Sequence, residues 1–169
     1  MKRRSLSRQA GFTIVEMIIV TCIIAVLASV AISSYRDYAR RAKMSEVVLA
    51  TGQCKNAVQE GYPTLDAPIA GGRWGCEGSG TSYYATSVQT STDGAIRVGI
   101  QNLDGNVNGR YIYLIPTKAD GVTPLQASSD IGNGVRGWIC GSDWLPVRNA
   151  APANCREDTT SYLYSSDFH

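Results

Sequence analysis

The sequence predicts an α+β fold in which one long N-terminal helix packs on an antiparallel sheet of about four strands. Three observations predict it. Residues 12–33 are almost entirely apolar, the next segment repeats apolar residues at helical spacing, and the second half alternates β-rich runs with turn residues. A helix followed by consecutive strands is typical of α+β domains, in which the helix covers one face of the sheet.

The N-terminal segment has the length of a membrane span. Residues 1–11 are cationic and polar, and the 22 residues from 12 to 33 carry a single charge, Glu16. A helix of that length rises about 33 Å, which spans the hydrocarbon core of a bilayer. A cleavable secretory signal has a shorter apolar core that ends at a small-residue cleavage site, so this segment does not fit one. An ordinary single-pass anchor is the alternative at this point.

Helical patterning continues beyond the apolar segment. A narrow stripe of mostly apolar residues recurs at three- and four-residue steps: Met44, Val47, Thr51, Cys54 and Val58. The helix is therefore expected to run from about residue 12 to about residue 61, with an amphipathic second half. Helix-breaking residues accumulate at its end: Gly61, Pro63 and Pro68.

Three β-rich runs and a shorter fourth one follow the helix, at residues 83–90, 95–102, 110–117 and 134–140. The pair Asp93-Gly94 is a hairpin signal between the first two runs. This spacing predicts an antiparallel meander that packs on the helix stripe.

The positive net charge of the chain comes from its N-terminus. Four of the 16 lysines and arginines lie within residues 1–11, which contain no acidic residue. Without that segment, 12 basic residues face 14 acidic ones, and the net charge is −2. The positive charge of the full chain is therefore no argument for nucleic-acid binding, for which Arg73 beside Trp74 is the only cue.

One of the five cysteines, Cys22, lies in the apolar segment. The other four lie in the polar part of the chain: Cys54, Cys76, Cys140 and Cys155. Four cysteines downstream of an export-type segment predict two disulfides formed in an oxidising compartment. The spacings contain no C-x-x-C, and the single histidine is the terminal His169, which argues against zinc and haem.

No catalytic constellation is found in the sequence. The lone His169 is terminal, and neither G-x-S-x-G nor H-E-x-x-H occurs. The glycine-rich stretch 71–80 lacks the G-x-x-x-x-G-K-[ST] pattern of a phosphate-binding loop and is interpreted as a surface loop. We therefore predict no enzymatic activity, no metal and no cofactor.

A short motif marks the border between the cationic and apolar segments: Gly11-Phe12-Thr13-Ile14-Val15-Glu16. Followed by an apolar run, it resembles the type III signal of type IV prepilins. The resemblance implies that a prepilin peptidase cuts between Gly11 and Phe12 and methylates the new amino group of Phe12. It also implies three parts: a cleaved leader at 1–11, a transmembrane and filament-core helix at 12–33, and a periplasmic or extracellular head at 34–169.

A role for Glu16 follows from the same resemblance. A carboxylate in an apolar helix costs on the order of 2–3 kcal/mol unless it finds a partner. The resemblance implies that Glu16 faces the freed amine of Phe12 on a neighbouring subunit, a pairing of opposite charges that fixes axial register. The alternative is a carboxylate near enough to the interface to reach water.

The C-terminal part is similar to the disulfide loop of type IVa major pilins, through three short stretches: Trp138-Ile139-Cys140, Leu145-Pro146 and Cys155-Arg156. The resemblance implies the pair Cys140–Cys155. Of the three possible connectivities, we expect this pair together with Cys54–Cys76, because each then closes a local loop. Cys22 is expected to be unpaired. The 13 residues after Arg156 are longer than the resemblance leads us to expect.

The apolar helix departs from the family at two positions, because Ala25 and Ser33 stand where many type IVa pilins have glycine and proline. Proline inside a helix costs about 3 kcal/mol, and glycine costs about 1 kcal/mol relative to alanine. We therefore expect residues 12–61 to remain one nearly continuous helix in both monomer and filament. The Ser33-Ser34 pair can still bend the helix by bonding back to carbonyls one turn earlier.

The function implied by the resemblance is that of a structural subunit of a type IV pilus, used for adhesion, twitching motility or DNA uptake. Its location is the bacterial inner membrane before assembly and an extracellular filament afterwards. The implied partners are other copies of the chain, prepilin peptidase, the inner-membrane assembly machinery and the bilayer. The alternatives are a type II secretion pseudopilin, which the paired C-terminal cysteines disfavour, and a minor pilin acting as an adhesin or DNA receptor.

Overall fold

The computed structural model describes residues 11–79, 82–162 and 167–169. The chain divides into two compact units, one ending at Tyr38 and the other beginning at Ala39. Helix α1 (Ile14–Leu49) contributes residues to both units. The second unit contains every other helix and strand of the described residues, in the order α2 (Gly52–Thr64), β1 (Gly78–Ser79), β2 (Ala85–Thr90), β3 (Ile96–Ile100), β4 (Tyr111–Thr117), α3 (Ala127–Asp130), β5 (Gly137–Ser142), α4 (Leu145–Ala150) and β6 (Glu157–Asp158).

The sheet confirms the predicted α+β class. Its strands lie in the order β1-β2-β3-β4-β5-β6, and all neighbours are antiparallel except β5 and β6, which are parallel. The four predicted runs form β2 to β5, with bounds that differ by up to three residues. The two further strands, β1 and β6, have two residues each, which is too short for alternation to reveal them.

The predicted helix is interrupted once, between Leu49 and Gly52. The Thr51 hydroxyl donates to the Val48 carbonyl at 2.7 Å, a local bond that competes with the helical pattern. The interruption is small, because Thr51 keeps helical dihedrals of −72° and −14° and its carbonyl accepts from the Lys55 N–H at 2.8 Å. The expected near-continuity therefore holds for the single subunit, and the expectation for the filament stays a prediction.

Helix α2 ends at Thr64, three residues beyond the predicted end at Gly61. The reason is that Gly61 does not break the helix. A Cβ added there would come within 2.9 Å of the Trp74 ring, so glycine is needed for the close approach of this side chain.

The predicted stripe forms the helix side of the main core. All five of its residues are buried, at 4% exposure or less: Met44, Val47, Thr51, Cys54 and Val58. Alternate residues of β3 and β4 pack in the same cluster, as the period of two in a strand requires: Ile96, Val98, Ile100, Ile112 and Leu114. The opposite face of the sheet, which we call the outer face, carries a second and smaller cluster: Ala95, Tyr113, Ile115, Ile139 and Phe168.

The predicted hairpin at Asp93-Gly94 connects β2 to β3. The Ser91 N–H donates to the Ala95 carbonyl at 2.8 Å, and the Gly94 N–H donates to the Ser91 carbonyl at 3.0 Å. Gly94 has a φ of +72°, and a Cβ there would lie 2.8 Å from the Val58 side chain. Glycine is therefore required both by the turn and by the helix that packs beneath it.

An aromatic pair fixes this hairpin to α2. The rings of Tyr62 and Trp74 stack with centroids 5.5 Å apart. The Tyr62 hydroxyl donates to the Asp93 carbonyl at 2.7 Å, and the Trp74 indole N–H donates to the Ser91 carbonyl at 2.9 Å. Burial, reinforced by the charges of Asp93 and Asp130, raises the pKa of Tyr62 well above its ordinary value.

The burial of Trp74 argues against the one sequence cue for nucleic-acid binding, the pair Arg73-Trp74. A base-stacking platform needs an exposed aromatic ring beside its cation, whereas Trp74 is 8% exposed and belongs to the main core. Arg73 and Trp74 therefore do not form a nucleic-acid contact surface.

Both predicted disulfides are confirmed. Cys54–Cys76 joins α2 to the glycine-rich loop, with the Cα atoms 5.0 Å apart. Cys140–Cys155 joins β5 to the segment before β6, with the Cα atoms 4.3 Å apart. Closing a loop of this length stabilises a fold by about 3 kcal/mol in the chain-entropy model, which matters for a small domain.

The carboxylate of Glu77 organises the glycine-rich loop from inside. It accepts the backbone N–H of Trp74 at 2.9 Å and of Cys76 at 3.0 Å, and also the hydroxyl of Thr90 on β2. Partial burial acts to raise the pKa of Glu77, but these hydrogen bonds outweigh it, and the pKa lies below its ordinary value of 4.5.

Replacing Glu77 with glutamine is expected to weaken the acid dependence of stability. Because the pKa of Glu77 is lower in the folded state, its stabilisation is present above pH 4.5 and is lost as the pH falls below that value. Thermal unfolding near neutral pH should therefore show a lower midpoint for Glu77→Gln, and the difference from the parent should shrink well below pH 4.5. The exposed Glu60 provides the matched control, Glu60→Gln. Parallel pH profiles for Glu77→Gln and the parent would contradict the assignment.

Candidate functional site

The first half of α1 exposes a large, mostly apolar surface. Large hydrophobic side chains between residues 12 and 32 are 45–79% exposed in the structure. Within the described part of the chain, one helix is long and apolar enough to cross a membrane, and it includes this segment. A continuous apolar surface of this size marks a membrane or protein contact, because it is unstable in water.

Glu16 lies at the beginning of this apolar surface. Its Oε2 accepts from the Thr13 hydroxyl at 3.2 Å and from the Thr13 N–H at 3.4 Å. In return, the Glu16 N–H donates to the Thr13 hydroxyl at 3.3 Å. The two side chains thus exchange bonds as in a capping box, which satisfies N–H groups that have no intrahelical partner.

The signal for this cap is present in the sequence, although the role predicted for Glu16 did not include it. Thr13-Ile14-Val15-Glu16 fits the T-x-x-E pattern that precedes an apolar run. Glu16 therefore has an intrachain role at the helix start in addition to the intersubunit role that the resemblance implies. Experiments on Glu16 must separate its charge from its capping bonds.

Hydroxyl groups along the apolar surface are satisfied within the helix. Thr21, Ser29 and Ser33 donate to the carbonyls three residues earlier, at 3.0, 2.7 and 2.9 Å. For Ser33 this is the back-bonding that the sequence predicts. The helix remains intact from Ile14 to Leu49 despite these bonds, in agreement with the absence of proline at position 33.

The proposed cleavage site lies immediately before the helix. Gly11 and Phe12 precede α1, and Phe12 is 75% exposed. A Cβ added at Gly11 would meet no atom within 4 Å, so the structure gives no packing reason for glycine there. The predicted leader, apart from Gly11, lies outside the described residues.

Cys22 lies on the same exposed surface and is unpaired, as expected from its position in the apolar segment. Among the residues that the structure describes, no group of three or more His, Cys, Asp or Glu side chains could hold a metal ion. His169 is exposed at the chain end.

Two models of known protein families match the chain, one over the apolar N-terminal segment and one over the head. A model of the prokaryotic N-terminal methylation motif matches residues 6–32, and a model of pilin, the bacterial filament protein, matches residues 40–156. The chain belongs to the pilin family. This pilin is a structural subunit of a type IV pilus, held in the membrane by its apolar helix before assembly and extracellular in the pilus.

Individual relatives support the same assignment. The pilin is 30% identical over 168 residues to a fimbrial protein of Neisseria meningitidis, covering 90% of this chain and 83% of the relative. It is 29% identical over 129 residues to a type IV major pilin protein of Neisseria gonorrhoeae, covering 76% and 64%. It is 43% identical over 53 residues to a type IV major fimbrial protein of Dichelobacter nodosus, covering 31% and 34%. The pseudopilin and minor-pilin alternatives are not favoured by these matches.

Proposed function

We propose that the pilin is made as a precursor from which prepilin peptidase removes residues 1–11. The inner-membrane assembly machinery then adds the mature subunit to the filament. The subunits polymerise through residues 12–33, and residues 34–169 form the head. The observation that carries this proposal is an exposed apolar helix surface with one carboxylate at its beginning.

Hydrophobicity alone does not fix where two such helices meet. Lipid tails are as apolar as leucine, so moving the helix from bilayer to filament gains little from the hydrophobic effect. A slide of one helix along another also exchanges one apolar contact for a similar one. A single charge is therefore the feature of residues 12–33 that can distinguish one register from the others.

Processing would supply the partner for that charge. A cut after Gly11 creates an amine on Phe12, and this amine and Glu16 carry opposite charges. Both bonds that the Glu16 carboxylate accepts from Thr13 use the same oxygen, Oε2, and Oε1 takes part in neither. The cap at the helix start is therefore compatible with a second contact from a neighbouring subunit, whose strength is increased by the low dielectric of a helix bundle.

The cleavage is tested by sequencing the N-terminus and measuring the intact mass of surface-exposed protein. We expect the chain to begin at Phe12 and to carry one additional methyl group. In the variant Gly11→Val, residues 1–11 should remain attached, whereas the head should keep its unfolding midpoint, because a side chain at position 11 would meet nothing within 4 Å. An N-terminus before Gly11 in the parent, or a cut after the apolar run, would refute the proposed processing.

A further inference from the structure

The last three residues of the chain lie on the outer face of the sheet. Phe168 is 7% exposed and packs in the outer cluster with Ala95, Ile115 and Ile139. Its ring centroid lies 5.8 Å from that of Tyr113. The other buried residues described in this cluster belong to the sheet or to the β2–β3 turn, whereas Phe168 comes from a segment far from both in sequence.

Backbone and side-chain hydrogen bonds hold both neighbours of Phe168. The Thr90 N–H donates to the His169 carbonyl, and the His169 N–H donates to the Thr90 carbonyl, both at 3.4 Å. The Asp167 carboxylate accepts the Thr92 N–H at 3.2 Å and also the Thr92 hydroxyl. These contacts place the chain end beside the end of β2.

The glycine-rich loop closes over the same residues. The Gly72 N–H donates to the Thr90 carbonyl at 3.1 Å. A Cβ at Gly71 would lie 2.2 Å from the Asp167 carbonyl oxygen, and one at Gly72 would lie 2.8 Å from the His169 side chain. Two consecutive glycines therefore provide the space that the chain end occupies.

Arg97 on β3 places its guanidinium against two rings, one from the sheet and one from the chain end. Its guanidinium carbon is 4.7 Å from the centroid of the Tyr111 ring and 4.6 Å from that of Phe168. Arg97 Nε also donates to the Gln89 side chain at 2.8 Å, which fixes the plane of the guanidinium. The cation thus contributes a favourable contact to the docked position of Phe168.

We propose that residues 167–169, which we call the clasp, cover the outer cluster. The clasp also holds the end of β2 against the glycine-rich loop. The match to the pilin family model ends at residue 156, so the clasp lies beyond the matched residues. The outer cluster is thus covered by a segment of the same chain, residues 167–169. Phe168 therefore contributes to the burial of the apolar residues on the outer face, together with Tyr111 and Tyr162, which also pack against this cluster.

The clasp is tested by hydrogen–deuterium exchange on the full-length pilin in detergent micelles. Removing residues 167–169, or changing Phe168→Ala, should accelerate exchange of the Thr90 and Thr92 amides on the order of tenfold or more, because both donate to the clasp. The Gly94 amide, which donates to the Ser91 carbonyl and whose residue is not part of the outer cluster, should change much less.

Two further variants distinguish the clasp from a general packing effect. His169→Ala keeps the backbone bonds and removes an exposed side chain, so it should exchange like the parent. Thr92→Val removes the hydroxyl contact to Asp167 together with the bond that this hydroxyl accepts from the Gly71 N–H at 3.3 Å. Both bonds hold the end of β2 to the clasp or to the glycine-rich loop, so this variant should accelerate exchange at positions 90 and 92 even if Phe168→Ala fails to fold. Unchanged exchange in Thr92→Val and in the deletion, or an equal acceleration over all strands in both, would overturn the proposal.

Discussion

Replacing Glu16 with glutamine is expected to abolish filament assembly and to leave a folded subunit in the membrane. Glutamine has nearly the same shape as glutamate and serves at the same position of a capping box, so the start of α1 is preserved. The negative charge is lost, and the amine proposed on Phe12 is left without its partner. Removing one member of a charge pair from a low-dielectric site costs about 3–5 kcal/mol, which corresponds to a loss of filament on the order of 100-fold or more.

The measurement compares sheared filaments with cell-associated subunit by quantitative immunoblotting. Thr13→Val is the matched control, because it removes the hydroxyl that bonds Glu16 and keeps the charge. Thr13→Val should assemble close to normally, and both variants should begin at Phe12. Normal filament yield from Glu16→Gln would remove the charge from its proposed role. Equal defects in the two variants would assign the effect to the helix cap.

The largest effect on stability is expected for Tyr62→Ala. Tyr62 is fully buried, stacks on Trp74 and donates to the Asp93 carbonyl, so it joins α2, the glycine-rich loop and the β2–β3 hairpin. Truncating a buried aromatic side chain costs about 3–5 kcal/mol, because the contacts are lost and a cavity remains. That is a large part of the roughly 5–15 kcal/mol available to an ordinary domain.

The control for this substitution is Tyr62→Phe, which keeps the ring and removes the hydroxyl. It should cost about 1 kcal/mol, since only the bond to Asp93 is lost. Thermal or denaturant unfolding of the two variants under oxidising conditions gives the comparison. Similar midpoints for Tyr62→Ala and Tyr62→Phe would show that the ring contributes little to holding the hairpin on the helix.

The sequence predicted the features that depend on local periodicity. The stripe from Met44 to Val58 repeats at helical spacing, and each of its members is buried. The turn at Asp93-Gly94 needs a positive φ, which glycine signals directly. These features could be predicted because each depends on residues that are close together in the chain.

Features that depend on distant residues could not be predicted in this way. Gly61 has the sequence pattern of a helix end, but the structure shows that it makes room for Trp74, 13 positions later. Phe168 looks like part of an exposed tail, and only the folded sheet shows that the β-rich runs leave an apolar face for it to cover. The cap formed by Thr13 and Glu16 is different, because its T-x-x-E signal is local and is present in the sequence.

The positions of the two disulfides determine how the head would respond to a protease. A backbone cut between Cys54 and Cys76, or between Cys140 and Cys155, leaves both fragments covalently joined, since each bridge closes a local loop. Residues 77–139, which carry β2, β3 and β4, have no such bridge across them. A nick in this central stretch would leave two chains held together by sheet hydrogen bonds and core packing alone. The covalent protection of the head therefore lies at its two ends, and the integrity of its middle depends on the compactness of the sheet.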